Sequence, residues 1–185
     1  MNRAASPTSD SDFARRREEM IRVDHAGERG AVAIYAGQRA IFGRASATGA
    51  IARKTAEMED GEKLHLEKFE AMIRAGEARP TLMTPLWDAA GFALGAATAL
   101  LGEKAAHACT EAVETVIEAH YNAQLAELGD RDPALSASIR QFRDEEVEHR
   151  DYAQANGASE APAYPVLSAF IRFGCRAAIA ISQKL

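Results

Sequence analysis

Two sets of acidic, phenolic, amide and imidazole residues recur in one order in the two halves of this chain: Glu28, Tyr35, Gln38, Asp60, Glu62 and His65, then Glu114, Tyr121, Gln124, Asp144, Glu146 and His149. In both halves the lone Glu precedes its Tyr by seven residues and its Gln by ten. The later Glu follows by 34 residues in the first half and 32 in the second, a difference that a loop between two helices absorbs. Glu and His three apart on a helix project from one face on neighbouring turns and can bind one metal ion. Glu62 with His65, Glu146 with His149, and Glu28 and Glu114 from two further helices make four carboxylates and two imidazoles. That donor set is the chemistry of a carboxylate-bridged di-iron or di-manganese centre in a four-helix bundle. Four carboxylates offset two divalent cations, and hard oxygen donors with few nitrogens favour iron or manganese over a softer metal. The competing reading is a set of solvated helix-face glutamates.

The repeat selects among crowded acids. Glu145, Glu146 and Glu148 surround His149, but the neighbours of His65 are Gly61, Glu62 and Leu64, so only the third residue before His is Glu twice. Glu111 and Glu118 flank Glu114 at helical spacing without the Tyr and Gln offsets, and they stay as fallback ligands. Asp60 and Asp144 sit about 200° round the helix from the ligand Glu and are expected on the outer face. Tyr35 and Tyr121 return to within about 20° of the face of Glu28 and Glu114, so both are expected inside, as core residues with one hydrogen bond or as substrate contacts. His25, His107 and His120 have no partner in the repeat. His25 is read as a cap, a surface residue or a hydrogen-bonding neighbour of the site. Cys109 and Cys175 are read as small buried residues, too few for a disulfide framework or a four-thiolate site. No glycine pattern resembles a dinucleotide or phosphate loop.

The elements that must carry these residues are helices. Between the prolines at 80, 85, 133, 162 and 165 the chain is rich in Ala, Glu, Leu, Arg and Ile at spacings of three and four. Five helices are expected at about 13–44, 48–76, 85–128, 134–155 and 163–182, the third breaking near Gly102. Residues 1–12 are expected to be a flexible lead without a signal peptide, and 13–185 a single domain, since 185 residues suit one core. With 22 basic against 27 acidic side chains the net charge is −5, which argues against nucleic acid as a partner. The stretches 82–101 and 163–182 are more apolar than the bundle needs. Each either closes the core or contacts a membrane, the second as an interfacial helix with Arg172 and Arg176 toward lipid head groups.

Several segments carry a resemblance. Arg22-Val-Asp-His-Ala-Gly-Glu28, Ile34-Tyr-Ala-Gly-Gln38, Glu62-Lys-Leu-His65, Gly91-Phe-Ala-Leu-Gly95, Ala97-Thr-Ala-Leu-Leu-Gly102, Ala108-Cys-Thr110, Ala112-Val-Glu114, His120-Tyr-Asn122 and Phe142-Arg-Asp-Glu-Glu-Val-Glu-His149 resemble the demethoxyubiquinone hydroxylase family. The resemblance runs from about Ile21 to Tyr152. It implies a ferritin-like, all-α di-iron monooxygenase with six ligands at Glu28, Glu62, His65, Glu114, Glu146 and His149. It further implies two iron ions per subunit, dioxygen and NADH as co-substrates, a polyprenyl methoxy-benzoquinone as substrate, and partner proteins of ubiquinone biosynthesis. Such a substrate is insoluble in water, so the expected location is peripheral, on the cytoplasmic face of a bacterial membrane. Its route is expected between the 82–101 segment and the helices bearing Glu28 and Glu114, near Tyr35 and Tyr121. Two other classes compete: a ferritin-like ferroxidase or iron store, and a non-enzymatic membrane-surface module. Two cysteines are too few for a rubrerythrin-like peroxidase.

Overall fold

A computed structural model describes residues 9–44 and 49–185. It is all-helical among these residues: α1 Asp10–Phe42, α2 Gly49–Arg74, α3 Thr84–Leu100, α4 Glu103–Leu128, α5 Pro133–Ala155 and α6 Tyr164–Ser182, with a 3-10 turn at Ala158–Glu160. The helix expected to break near Gly102 does so as α3 and α4. Gly102 sits at φ 108°, where a side chain would be strained, and this lets the backbone turn sharply between them. α1 starts three residues earlier than expected, because the Ser9 hydroxyl caps the Asp12 N–H at 3.2 Å and Asp10 and Asp12 complement the helix dipole. Residues 10–12 of the expected lead are therefore helical, and 1–8 lie outside the described residues. Asp132 caps α5 in the same way, through the Leu135 N–H at 2.9 Å, with Pro133 in the first turn.

α1 with α2 and α4 with α5 form two packed pairs, joined through α1 against α4. This four-helix core matches the ferritin-like arrangement expected from the sequence. One end is filled by Ile21, Phe69, Leu128, Leu135, Ile139 and Phe142. α3 and α6 lie outside the core, α3 on α1 and α6 on α4.

The α1–α3 contact is unusually close. A β-carbon on Gly95 would lie 1.9 Å from the Ile34 carbonyl oxygen, and one on Gly37 would lie 2.2 Å from that of Phe92. Backbone meets backbone there, so neither glycine can be replaced without moving a helix. Arg29 fastens the start of α3 through both Asp88 oxygens, at 3.1 and 2.5 Å. At the other end of the chain, Trp87 donates its indole N–H to Ser182 at 3.0 Å, tying α3 to α6.

The outer surfaces of α3 and α6 stay apolar: Leu86, Phe92 and Leu100 on α3 and Val166, Phe170 and Phe173 on α6 are exposed. Among the described residues, α6 is the one helix long and apolar enough, by length and composition alone, to cross a membrane. Only 17% of that stretch is buried. Arg172 does not follow the expectation that it faces outward with Arg176. It turns inward to Glu111, 3.0 and 3.2 Å from the two carboxylate oxygens, while Arg176 is exposed. The cause is a buried carboxylate on α4 that needs a cation. Cys109 is buried and Cys175 half-buried, and burial pushes both thiols up to about 12.

Gly95→Ala should destabilise the protein by about 1–3 kcal/mol through forced separation of α1 and α3. Denaturant unfolding measures this, and an unchanged midpoint would contradict the close approach.

Candidate metal centre

Glu28 comes from α1, Glu62 and His65 from α2, Glu114 from α4, and Glu146 and His149 from α5. Their donor atoms form two overlapping groups. Glu28, Glu62, His65 and Glu146 have ligand atoms within 4.8 Å of one another, and so do Glu62, Glu114, Glu146 and His149. Glu62 and Glu146 belong to both groups, so each position has one carboxylate and one imidazole of its own. His65 Nδ1 is 3.2 Å from Glu146 and 3.5 Å from both Glu28 and Glu62. His149 Nδ1 is 3.1 Å from Glu62 and 3.2 Å from Glu146. The four carboxylates are at most 3% exposed.

Burying this much charge is unfavourable unless something compensates it. Burial raises Glu28 and Glu114 well above the ordinary carboxylate range, with the charges of Glu62 and Glu146 adding to it. Burial acts on Glu62 in the same direction, but the two imidazoles hold it down to about 2. Although burial disfavours the cation, Glu146 and Glu62 keep His149 protonated up to about 10, and Glu146, Glu28 and Glu62 hold His65 higher still. Protons thus do part of the neutralising. They do not finish it: Glu28 Oε2, both oxygens of Glu62 and His65 Nδ1 are buried without a hydrogen-bond partner. The unpartnered oxygens of Glu28 and Glu62, beside two imidazoles, fit a pair of divalent cations.

The recurring tyrosines tie the two halves together. Tyr35 donates to Glu114 Oε1 at 2.8 Å, and Tyr121 donates to Glu28 Oε1. Each phenol therefore serves the lone carboxylate of the opposite half, which gives the seven-residue offset its physical meaning. Both rings are buried, and their hydroxyls are taken by carboxylates. Gln124 donates to Asp24 at 2.7 Å, and Gln38 to the Ala106 carbonyl oxygen at 3.3 Å.

The remaining candidates fall outside the cluster. Asp60 and Asp144 are on the outer face, with side chains 75% and 61% exposed. Of the fallback ligands, Glu111 is committed to Arg172, Tyr164 and Ser168, and Glu118 to Arg150. His25 is buried rather than a surface residue, among Arg29, Glu70 and Asp88. His107 packs against Tyr152 with ring centres 5.8 Å apart. Two further groups lie outside the pattern of the repeat. His120 lies 3.2 Å from Asp24, a buried carboxylate one helical turn before Glu28, and that spacing was the available signal. Glu145, set aside as a neighbour of the ligand, reaches His65 Nε2 at 2.7 Å.

Beside the cluster runs an apolar cavity of about 260 Å³ between α1, α3, α4 and α6, walled by residues that include Ile34, Leu94, Phe170, Gly174 and Ile179. A smaller cavity shares Val23, Gly27, Ala31, Ile117 and Ile179 with it and touches Glu28, Glu62, Glu114 and Glu146.

Because ligation takes a neutral imidazole and ionised carboxylates, a divalent cation entering this site must displace protons held by His65, His149, Glu28 and Glu114. Binding should release protons at pH 7 and weaken as pH falls. Calorimetry in two buffers of different ionisation enthalpy measures this, and binding without proton release would contradict the protonation derived above.

The profile of the ubiquinone biosynthesis protein COQ7 family matches residues 15–182. The chain is 52% identical over 168 residues to the 3-demethoxyubiquinol 3-hydroxylase of Rhodospirillum rubrum, covering 91% of this chain and 78% of the relative. It is 50% identical over 172 residues to the human mitochondrial NADPH-dependent 3-demethoxyubiquinone 3-hydroxylase, covering 91% and 77%. To the mitochondrial 5-demethoxyubiquinone hydroxylase of Saccharomyces cerevisiae it is 40% identical over 183 residues, covering 91% and 78%. The human relative's name specifies NADPH, where the resemblance implied NADH. With the match spanning all four helices that carry the carboxylate and imidazole cluster, the chain belongs to the COQ7 family of ubiquinone biosynthesis proteins.

Proposed function

We propose that this protein is an oxygen-dependent monooxygenase that hydroxylates the ring of a polyprenyl methoxy-benzoquinone, the demethoxyubiquinone of its relatives' names, at two iron ions held by Glu28, Glu62, His65, Glu114, Glu146 and His149. The observation that carries the reading is the apolar cavity that adjoins the carboxylate cluster and is flanked by α3 and α6, the two helices with exposed apolar faces. A ferroxidase or iron store needs no such cavity. When bound, the iron pair supplies the reduction of dioxygen and the oxidising power to place a hydroxyl on the ring, with electrons from reduced nicotinamide.

The chain's own groups have separable tasks. Ile34, Leu94 and Ile179 offer the ring and the first part of the tail an apolar wall and keep water from the reacting carbon. Tyr35 and Tyr121 hold Glu114 and Glu28 in place from opposite halves, a role that the hydroxyl positions favour over direct contact with the quinone. The exposed side chains of α3 and α6 would rest on the lipid that carries the substrate, on the cytoplasmic side in a bacterium. α6 would lie in the interface, since one of its faces is fastened to α4 through Arg172 and Glu111 while Phe170 and Phe173 point out.

The direct test incubates iron-loaded protein with a short-tailed demethoxyquinone, NADPH or NADH, and oxygen, and analyses the quinone product. Hydroxylated quinone is expected, and iron oxidation without it would favour the ferroxidase reading. Gly174→Phe, at a cavity-wall position where a β-carbon meets nothing within 4 Å, should cut hydroxylation at least about tenfold with iron content unchanged. Tyr121→Phe should lose part of the iron, whereas a residue that only touched the quinone would leave it intact. Replacing Phe170 and Phe173 by Ser should weaken vesicle binding by at least about tenfold, at about 1.5–3 kcal/mol per buried ring. Unchanged sedimentation with vesicles would remove α6 from the contact.

A further inference from the structure

The two halves of the metal site differ in how their imidazoles are held. His65 turns Nδ1 into the cluster, and its Nε2 lies 2.7 Å from Glu145 Oε2. With Nε2–H donated to that carboxylate, Nδ1 is the nitrogen left facing the metal position. Glu145 is fixed in turn, since its other oxygen accepts from Gln141 Nε2 at 2.9 Å. Phe142 stacks on the His65 ring, centres 4.1 Å apart and planes 27° apart. Three groups therefore set the orientation of this imidazole.

His149 has neither a carboxylate on its second nitrogen nor a stacked ring among the described residues, and Tyr35 meets it only edge-on, with ring centres 6.2 Å apart. The counterpart of Glu145, one residue before the ligand Glu of the first half, is Gly61, and a β-carbon built there would already lie 4.0 Å from His149 Cε1. Met58 stands where Phe142 stands in the second half. Among the described residues His149 makes its polar contacts through Nδ1 alone, and its side chain is 15% exposed against 2% for His65.

We propose that Glu145 is the positioning residue for His65, and that the absence of a counterpart at Gly61 makes the two metal positions unequal, the one formed by Glu28 and His65 with the shared carboxylates filling first. The inference rests on the reading of the cluster as a two-metal centre. Its energetic basis is that an imidazole already held in orientation by Glu145 and Phe142 loses less freedom on ligation than one that must be aligned. A first ion at the His65 position also draws in Glu62 and Glu146, which the second ion shares.

Metal-free protein titrated with Co(II), followed by its visible absorption and by calorimetry, tests this without turnover. Wild type should bind two equivalents, the second at least about tenfold more weakly than the first. Glu145→Ala should weaken the first step by about 10- to 100-fold, leaving the second within about threefold. Glu145→Gln, whose amide oxygen still accepts the Nε2–H, should fall between them. Glu148→Ala, an exposed change on the same helix, should move neither step. Thermal unfolding of the metal-free Glu145→Ala protein should match wild type, since that side chain is 40% exposed. Two equal steps in wild type, or loss of both steps alike in Glu145→Ala, would overturn the proposal. Absence of any bound metal would instead overturn the centre itself, and the inference with it.

Discussion

Four carboxylates and His65 sit in the middle of a helical bundle with almost no contact with water, His149 beside them at 15% exposure, and the rest of the structure follows from keeping them there. Isolated carboxylates in an apolar interior are too costly to persist. The protein meets part of the cost with protons shared between His65, His149 and the surrounding glutamates, and with phenol hydroxyls that reach Glu28 and Glu114. What is left over, four buried atoms without a hydrogen-bond partner, fits a site built to take cations.

The same constraint explains the division between the four core helices and the two outer ones. α1, α2, α4 and α5 carry the charged centre, and the apolar cavity beside it is walled by α3 and α6 together with α1 and α4. α3 comes close enough to α1, at Gly37 and Gly95, for backbone to touch backbone along one edge. α6 is held to α4 by Arg172 on Glu111 along another. The helices leave the apolar cavity between them, with Trp87 and Ser182, which join α3 to α6, in its wall.

Much of this was legible in the chain because the site is duplicated. The recurrence of Glu, Tyr, Gln, Glu and His at matched offsets separated Glu62 and Glu146 from neighbouring acids, and helix periodicity placed Tyr35 and Tyr121 inside. What periodicity cannot give is which side chain meets which across helices. Arg172 shares a stripe with Arg176 by spacing, yet the buried Glu111 turns it inward. His120 is out of register with the repeat, but Asp24 reaches it from another helix. Glu145 was set aside because its half of the repeat alone has a carboxylate there, and that asymmetry is visible as a structural feature only once His65 lies 2.7 Å away. The break at Gly102 was readable from one residue type, the early start of α1 only from the cap that Ser9 makes.

The central claim is that these six side chains hold two metal ions. X-ray diffraction from iron-loaded crystals, collected on both sides of the iron absorption edge, tests it most directly. The account requires two anomalous peaks about 3.5–4 Å apart, both between Glu62 and Glu146, one beside Glu28 and His65 and the other beside Glu114 and His149. A single peak, or peaks outside these six residues, would contradict it.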